Sequence, residues 1–267
     1  MRDDRANEGA SKVPAITLGF WLIKIFATTF GETAGDTVTM SWLGETTSNP
    51  VPNGYLIGSL IFSLVLIALV WAQIRAHRFN RWLYWTTIVA STTAGTAMAD
   101  FADRSLGVGY VGGSLILLAC VGASLLAWKR TLGNVDVNRI VSARAEAFYW
   151  ITITFSQTLG TALGDWAADS GLGYGGGALL FGGLLALLGV AFLLSNASRV
   201  ALFWAAFILT RPLGATVGDF LDKPLGGGGL GLDRPLASAV LIVAIAAMIA
   251  ILPQDPGKHP AAGRSQP

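Results

Sequence analysis

At 267 residues the chain is long enough for one or two soluble domains, yet 53% of it is hydrophobic and only 13% charged, about half the charge of an ordinary soluble protein. A formal net charge of +2 with no basic run gives no footing for a nucleic-acid partner, and the single Cys120 inside an apolar stretch excludes an internal disulfide framework. The charge that remains is gathered between apolar stretches, as in a chain that uses lipid as its solvent.

Residues 1–13 mix Arg2, Arg5 and Lys12 with Asp3, Asp4 and Glu8, and are read as a cytoplasmic tail. The first apolar stretch passes Phe30 without a small-residue cleavage site, so no cleaved signal peptide is expected. Residues 14–252 are read as an all-α, polytopic membrane bundle of eight transmembrane helices, built from four tandem two-helix repeats at about 14–75, 81–130, 144–195 and 199–252. The first helix of each copy covers roughly 14–38, 82–102, 147–168 and 200–221. The second covers roughly 55–74, 110–128, 174–194 and 236–252. At about 1.5 Å rise per residue both sets reach across a bilayer. Residues 253–267, rich in Pro, Gly and Ala, are expected to be a disordered cytoplasmic tail.

Spacing carries the repeat. Asp36, Asp100, Asp165 and Asp219 stand 64, 65 and 54 residues apart. Five residues before them lie Gly31, Gly95, Gly160 and Gly214; one before lie Gly35, Ala99, Gly164 and Gly218. Fifteen before lie Trp21, Trp85, Trp150 and Trp204. Lys and Arg concentrate in the links that follow the second helices, which places both termini in the cytoplasm. The tryptophans are then expected at the cytoplasmic interface, with the aspartates about 22 Å further along the helix.

Residues eight, four and zero before each aspartate share a helix face. They are Thr28, Glu32 and Asp36; Thr92, Thr96 and Asp100; Gln157, Thr161 and Asp165; and Arg211, Ala215 and Asp219. A polar stripe cannot face lipid, so the odd helices are expected to form an inner layer and the even helices an outer one. Gly31 with Gly35, Gly160 with Gly164, Gly214 with Gly218, and Gly95 with Ala99 suit close helix contact. Glu32 and the four aspartates are candidate cation or proton ligands, with Asp36, Asp100, Asp165 and Asp219 as the metal set. Asp103, Asp169 and Asp222 are secondary acids. Oxygen-rich sets of this kind suit hard cations such as Mg²⁺, Mn²⁺ and Ca²⁺, or protons. Thr28, Thr92, Thr96, Gln157 and Thr161 are candidate pathway groups, and Arg211 and Lys24 are internal counter-ions. If copies one and four are neighbours, Arg211 pairs with Glu32. The glycine strings at 107–112 and 171–176 follow no strand, so they are not a dinucleotide fingerprint. His77 and His259 lie in a link and the tail, which removes histidine ligation of zinc or haem.

The tryptophan, the G-x-x-x-[GA]-D string and two spans per copy resemble a bacterial membrane protein family known as a repeat of unknown function, with four tandem repeats. That resemblance covers about residues 14–252; it implies this layout and a bacterial inner membrane, and no activity. The segment GETAGDT (31–37) is similar to the E-x-G-D-[KR]-[ST] signature of manganese and calcium cation/proton exchangers. Here the glutamate is one residue further out and Thr37 replaces the basic residue. The expected function is membrane transport of a cation, by manganese-type divalent export or proton-coupled exchange. A non-transporting scaffold or sensor, or a carrier of a small organic solute using Arg211 and Lys24, are the alternatives. No catalytic residue and no resident cofactor are expected; the partners are the lipid bilayer and an inorganic cation or proton, the cation being cargo.

Overall fold

The computed structural model describes residues 11–257. Expectations for residues 1–10 and 258–267 lie outside the described residues. Eight long helices follow one another: α1 (Leu18–Asp36), α2 (Gly54–Arg75), α3 (Arg81–Asp100), α4 (Tyr110–Leu132), α5 (Ala143–Ala167), α6 (Gly173–Leu194), α7 (Arg199–Asp222) and α8 (Arg234–Ile251). Among the described residues there is no strand, only an isolated bridge between Pro14 and Pro256.

Local chemistry fixes where the inner helices start. Thr17, Asn80, Ser142 and Ser198 precede α1, α3, α5 and α7, and each side chain accepts a hydrogen bond from a backbone N–H of the first turn. A free first turn leaves four N–H groups without partners, and these caps satisfy part of that need. At the other end, α1, α3 and α5 do not stop at the aspartate. Each widens into a turn with π-type bonding, over Thr37–Trp42, Phe101–Ser105 and Ala168–Leu172. Such wide turns are uncommon and gather at functional sites.

The odd helices form a closed ring in the order α1, α3, α5, α7, with α7 returning to α1. The even helices lie outside it, and none rests mainly on the inner helix of its own copy. Helix α2 packs on α3, α4 on α5, α6 on α7, and α8 closes the cycle on α1. Polar or close contacts mark this docking at one register, three residues before the anchoring aspartate. Ser59 donates to the Ala97 carbonyl at 2.7 Å, and Ser238 donates to Thr33 at 3.0 Å. Gly177 lies so close to Thr216 that an added Cβ would stand 2.8 Å from its methyl group.

Ring closure explains the glycines. A Cβ at Gly31 would stand 2.3 Å from Thr92 Oγ1, and one at Gly160 2.2 Å from Arg211 Cγ. A Cβ at Gly95 would collide with the Gln157 backbone at 2.8 Å, and one at Gly214 with Thr28 Oγ1 at 2.3 Å. Each glycine five before an aspartate thus receives the residue eight before the aspartate of the next copy, around the full cycle. Small residues allow backbones this near, where packing and hydrogen bonding replace the hydrophobic effect as the source of association.

Five stretches are long and apolar enough to cross a membrane unaided: α2, α4, α7, α8 and the run Ala143–Leu194 that holds α5 and α6. Helices α1 and α3 are 19 and 20 residues long but carry too much polar stripe to count by composition. The expected eight-fold count therefore does not follow from apolarity alone. The layers do separate as expected: 22%, 28% and 22% of the apolar windows of α2, α4 and α8 is buried, against 56% in α7.

One expectation is corrected at the end where the inner helices begin. Residues 253–257, expected in a disordered tail, run antiparallel to residues 11–15, with Ala15 N–H bonded to the Asp255 carbonyl and Gly257 N–H to that of Val13, both at 2.8 Å. Backbone groups that would otherwise lie unpaired over the bundle find partners in each other. The tryptophans, expected near the cytoplasmic interface, pack inward at this end of the ring. Trp85, Trp150 and Trp204 are buried and Trp21 is half-buried. Trp85 Nε1 donates to Gln254 at 2.9 Å and Trp204 Nε1 to the Val135 carbonyl at 2.9 Å. The ring interior must be filled, and indoles supply both bulk and a donor that reaches its edge.

Candidate functional site: a layered polar axis

The shared face of the four inner helices turns toward the ring axis, so equivalent residues lie in layers. At the anchor layer Asp36, Asp100, Asp165 and Asp219 are all buried. One turn below lie Glu32, Thr96, Thr161 and Ala215, and below these Thr28, Thr92, Gln157 and Arg211, every one buried. The next layer is Lys24, Ile88, Ile153 and Phe207, buried without exception. Phe20, Tyr84, Tyr149 and Phe203 then close the axis with the tryptophans, and the Tyr84 and Tyr149 hydroxyls share a 2.6 Å hydrogen bond.

Arg211 is the central group. It starts in the third layer and reaches into the second, where one guanidinium nitrogen, Nη2, donates to Glu32 at 2.9 Å, to Thr96 at 2.6 Å and to Thr161. Copies one and four are neighbours, and the pair between Arg211 and Glu32 is fully enclosed. The Thr96 hydroxyl in turn has the Gly31 carbonyl at 3.0 Å and Glu32 at 3.3 Å as alternative acceptors for its one hydrogen. Three of the four inner helices are therefore tied to the fourth through one side chain.

The anchor layer does not hold four equivalent ligands. Lys223 reaches in to pair with Asp36, with Asp219 at 2.8 Å, and with Asp222 at 3.8 Å. Arg234 approaches Asp222 at 3.5 Å. Asp100 is held by Arg104 at 2.8 Å. Asp165 has no cation partner among the described residues. The expected metal set of four aspartates is thus corrected. Carboxylate oxygens of Glu32, Asp165 and Asp219 lie within 4.8 Å of one another, as do those of Asp36, Asp219 and Asp222, while Asp100 belongs to neither group. A charge-assisted bond to Arg104 draws its carboxylate aside.

Of the secondary acids, Asp222 joins the cluster, Asp103 is half-buried at its edge and Asp169 is exposed. Lys24 is enclosed and lies over the Phe207 ring, 4.2 Å from its centre. Thr28 and Thr92 bind across helices to the Thr210 and Ala27 carbonyls, each at 3.1 Å. These two threonines act as ties between inner helices.

Lys223, Arg104 and Arg234 are functional-site cations that residue patterns assigned to outer links. A signal for two of them exists. Arg104 and Lys223 stand four residues after Asp100 and Asp219, so the polar stripe extends one turn past the anchor. Six carboxylates, Glu32, Asp36, Asp100, Asp165, Asp219 and Asp222, face four paired cations, Arg104, Arg211, Lys223 and Arg234. Buried charge of one sign is costly, and an excess of carboxylates is relieved by protons or by a bound cation. The Lys223 ammonium already serves Asp36, Asp219 and Asp222. The second oxygen set, Glu32, Asp165 and Asp219, shares Glu32 with Arg211 and Asp219 with Lys223, and Asp165 alone in it has no cation partner among the described residues.

Residues 19–79, 83–133, 148–198 and 202–252 match the family model described as a Repeat of Unknown Function (DUF347). No curated protein and no solved structure matches the chain, and the exchanger-like segment at 31–37 gains no support from a relative.

Proposed function

The chain belongs to this repeat family, and on that premise we propose that it is a cation-coupled secondary transporter, with a proton as the first choice of coupling ion. All eight helices cross a bacterial inner membrane in this reading, with both termini in the cytoplasm. The supporting observation is the excess of carboxylates over cations on an enclosed axis. Ionisable groups inside a membrane are costly and are kept where they line an ion or proton path. The Arg211 charge, bonded to Glu32, repels a doubly charged ion at the Glu32, Asp165 and Asp219 oxygens more strongly than a singly charged one, which puts a proton ahead of a divalent metal. Manganese-type divalent export remains the second choice. No residue is assigned a catalytic role, and no resident cofactor is assigned.

Transport in this reading requires the two cationic locks to open in turn. Lys223 closes the axis above the acids, and Arg211 with the aromatic layer closes it below. The test is flux into sealed proteoliposomes, with an internal pH dye and with Mn²⁺, Mg²⁺ or Ca²⁺ outside. Proton or metal movement that is lost in Asp165→Asn supports the proposal. A protein that stays folded and moves none of these ions is a scaffold or sensor, and the proposal fails.

A further inference from the structure

Below Arg211 the axis changes sign. Lys24 is fully enclosed, and its Nζ makes no hydrogen bond among the described residues. One layer above, Gln157 is equally enclosed, with neither its Oε1 nor its Nε2 bonded. Arg211 uses Nη2 three times, yet its Nε and Nη1 are also unbonded. Phe207, whose ring lies against Lys24, is one turn from Arg211 on α7, so these groups occupy adjoining layers.

Nothing else in those layers answers the donors. The remaining residues are Thr28, Thr92, Ile88, Ile153 and Phe207, and both threonines already donate to backbone carbonyls. Unbonded polar groups inside a protein are rare, because each costs the free energy of lost hydration. Three such side chains in adjoining layers, two of them cationic and none acidic, have the chemistry of an anion site.

We propose that Lys24, Gln157 and the free edge of Arg211 bind a small monovalent anion on the axis, a halide or the carboxylate of a small organic acid. The site lies on the aromatic side of the acid ring. An anion there and a proton on the Asp165 side are separated by the Arg211–Glu32 pair, an order suited to moving both together. That coupled movement rests on the transport reading above; binding of the anion does not.

The experiment is thermal unfolding of the full-length protein in detergent, titrated with chloride, bromide and acetate against a sulfate background. Wild type is expected to gain several degrees in Tm at saturating anion, since a ligand that binds only the folded state stabilises it by mass action. Lys24→Met and Gln157→Leu should each weaken the apparent Kd by about tenfold or more, while Lys24→Arg keeps the response and Asp169→Asn leaves it unchanged. Chloride and bromide acting without acetate identifies a halide site; acetate acting alone identifies a carboxylate site. No response of wild type to any of the three, or a full response in folded Lys24→Met, overturns the proposal. Because this readout needs no flux, its failure is distinct from a failure of transport.

Discussion

Arg211 and Glu32 form a pair that cannot be broken from one side without penalty. Removing one member of a buried pair leaves the other charge without compensation and costs about 3–5 kcal/mol. Arg211→Met should therefore lower the unfolding free energy by about that amount, and Glu32→Gln in the same chain should recover a large part of it. Chemical unfolding of the single and double variants measures this directly; additive losses would mean that the 2.9 Å contact carries no coupling. At Lys223 the expectation is a gain. With its ammonium removed, as Lys223→Met, the oxygens of Asp36, Asp219 and Asp222 lose their resident cation and become a three-carboxylate set. Calorimetry should then detect Mn²⁺ or Ca²⁺ binding at least about tenfold tighter than in wild type, lost on acidification as the ligands protonate. The four aspartates, Glu32 and the pairing of Arg211 were legible in the residue pattern because spacing repeats. Lys223 was missed despite its spacing of four from Asp219, since a lysine past the last helical turn reads as a solvated link until the fold turns it inward.

Helices meet here by backbone approach, and glycine sets the distance. A methyl group at Gly160 would stand 2.2 Å from Arg211 Cγ, so Gly160→Ala forces the two inner helices apart and should destabilise by about 1–3 kcal/mol. Gly122, in the outer helix α4, has nothing within 4 Å of an added Cβ. Gly122→Ala should be neutral or stabilising by up to about 1 kcal/mol through helix propensity. Unfolding both variants side by side checks the contrast; equal behaviour would remove the close-packing role. The positions of the helices followed from apolar runs and the recurring Gly–Asp string. Their partners did not. Nothing in a two-helix repeat says that α2 rests on α3 rather than α1, because that choice depends on the angle at which the link after Asp36 leaves the ring. The widened turns after Asp36, Asp100 and Ala167 lie in that link, and no residue pattern announces them. The inward packing of the tryptophans was not legible for a similar reason: indole suits a lipid interface and a ring core equally.

The complete molecule is a cycle written as a line. Its layered axis holds Trp and Tyr at one end, donors without partners in the middle, and acids with an incomplete set of cations at the other. A single chain thus breaks the equivalence of its four copies. Glu32, Arg211 and Lys24 each occur in one copy only, at positions filled elsewhere by Thr, Gln, Ala or an apolar side chain. These substitutions give the axis its polarity. The cyclic packing also means that α1 receives its outer cover, α8, and one inner neighbour, α7, only after the rest of the chain has been made.

The antiparallel contact of residues 11–15 with 255–257 has a consequence for connectivity. Since Ser11 and Gly257 are bonded through their backbones at 3.0 Å, residue 257 can be linked directly to residue 11 and the chain reopened in the short link between α6 and α7. The resulting circular permutant begins with the fourth copy, keeps every helix in its original direction because each copy holds two helices, and retains each neighbour around the ring. It should assemble with a Tm within a few degrees of the parent. In that order α7 and α8 are made before α1, so each of its neighbours except α3 awaits it. A permutant that fails to assemble would show that the order of insertion, and not the ring alone, selects the fold.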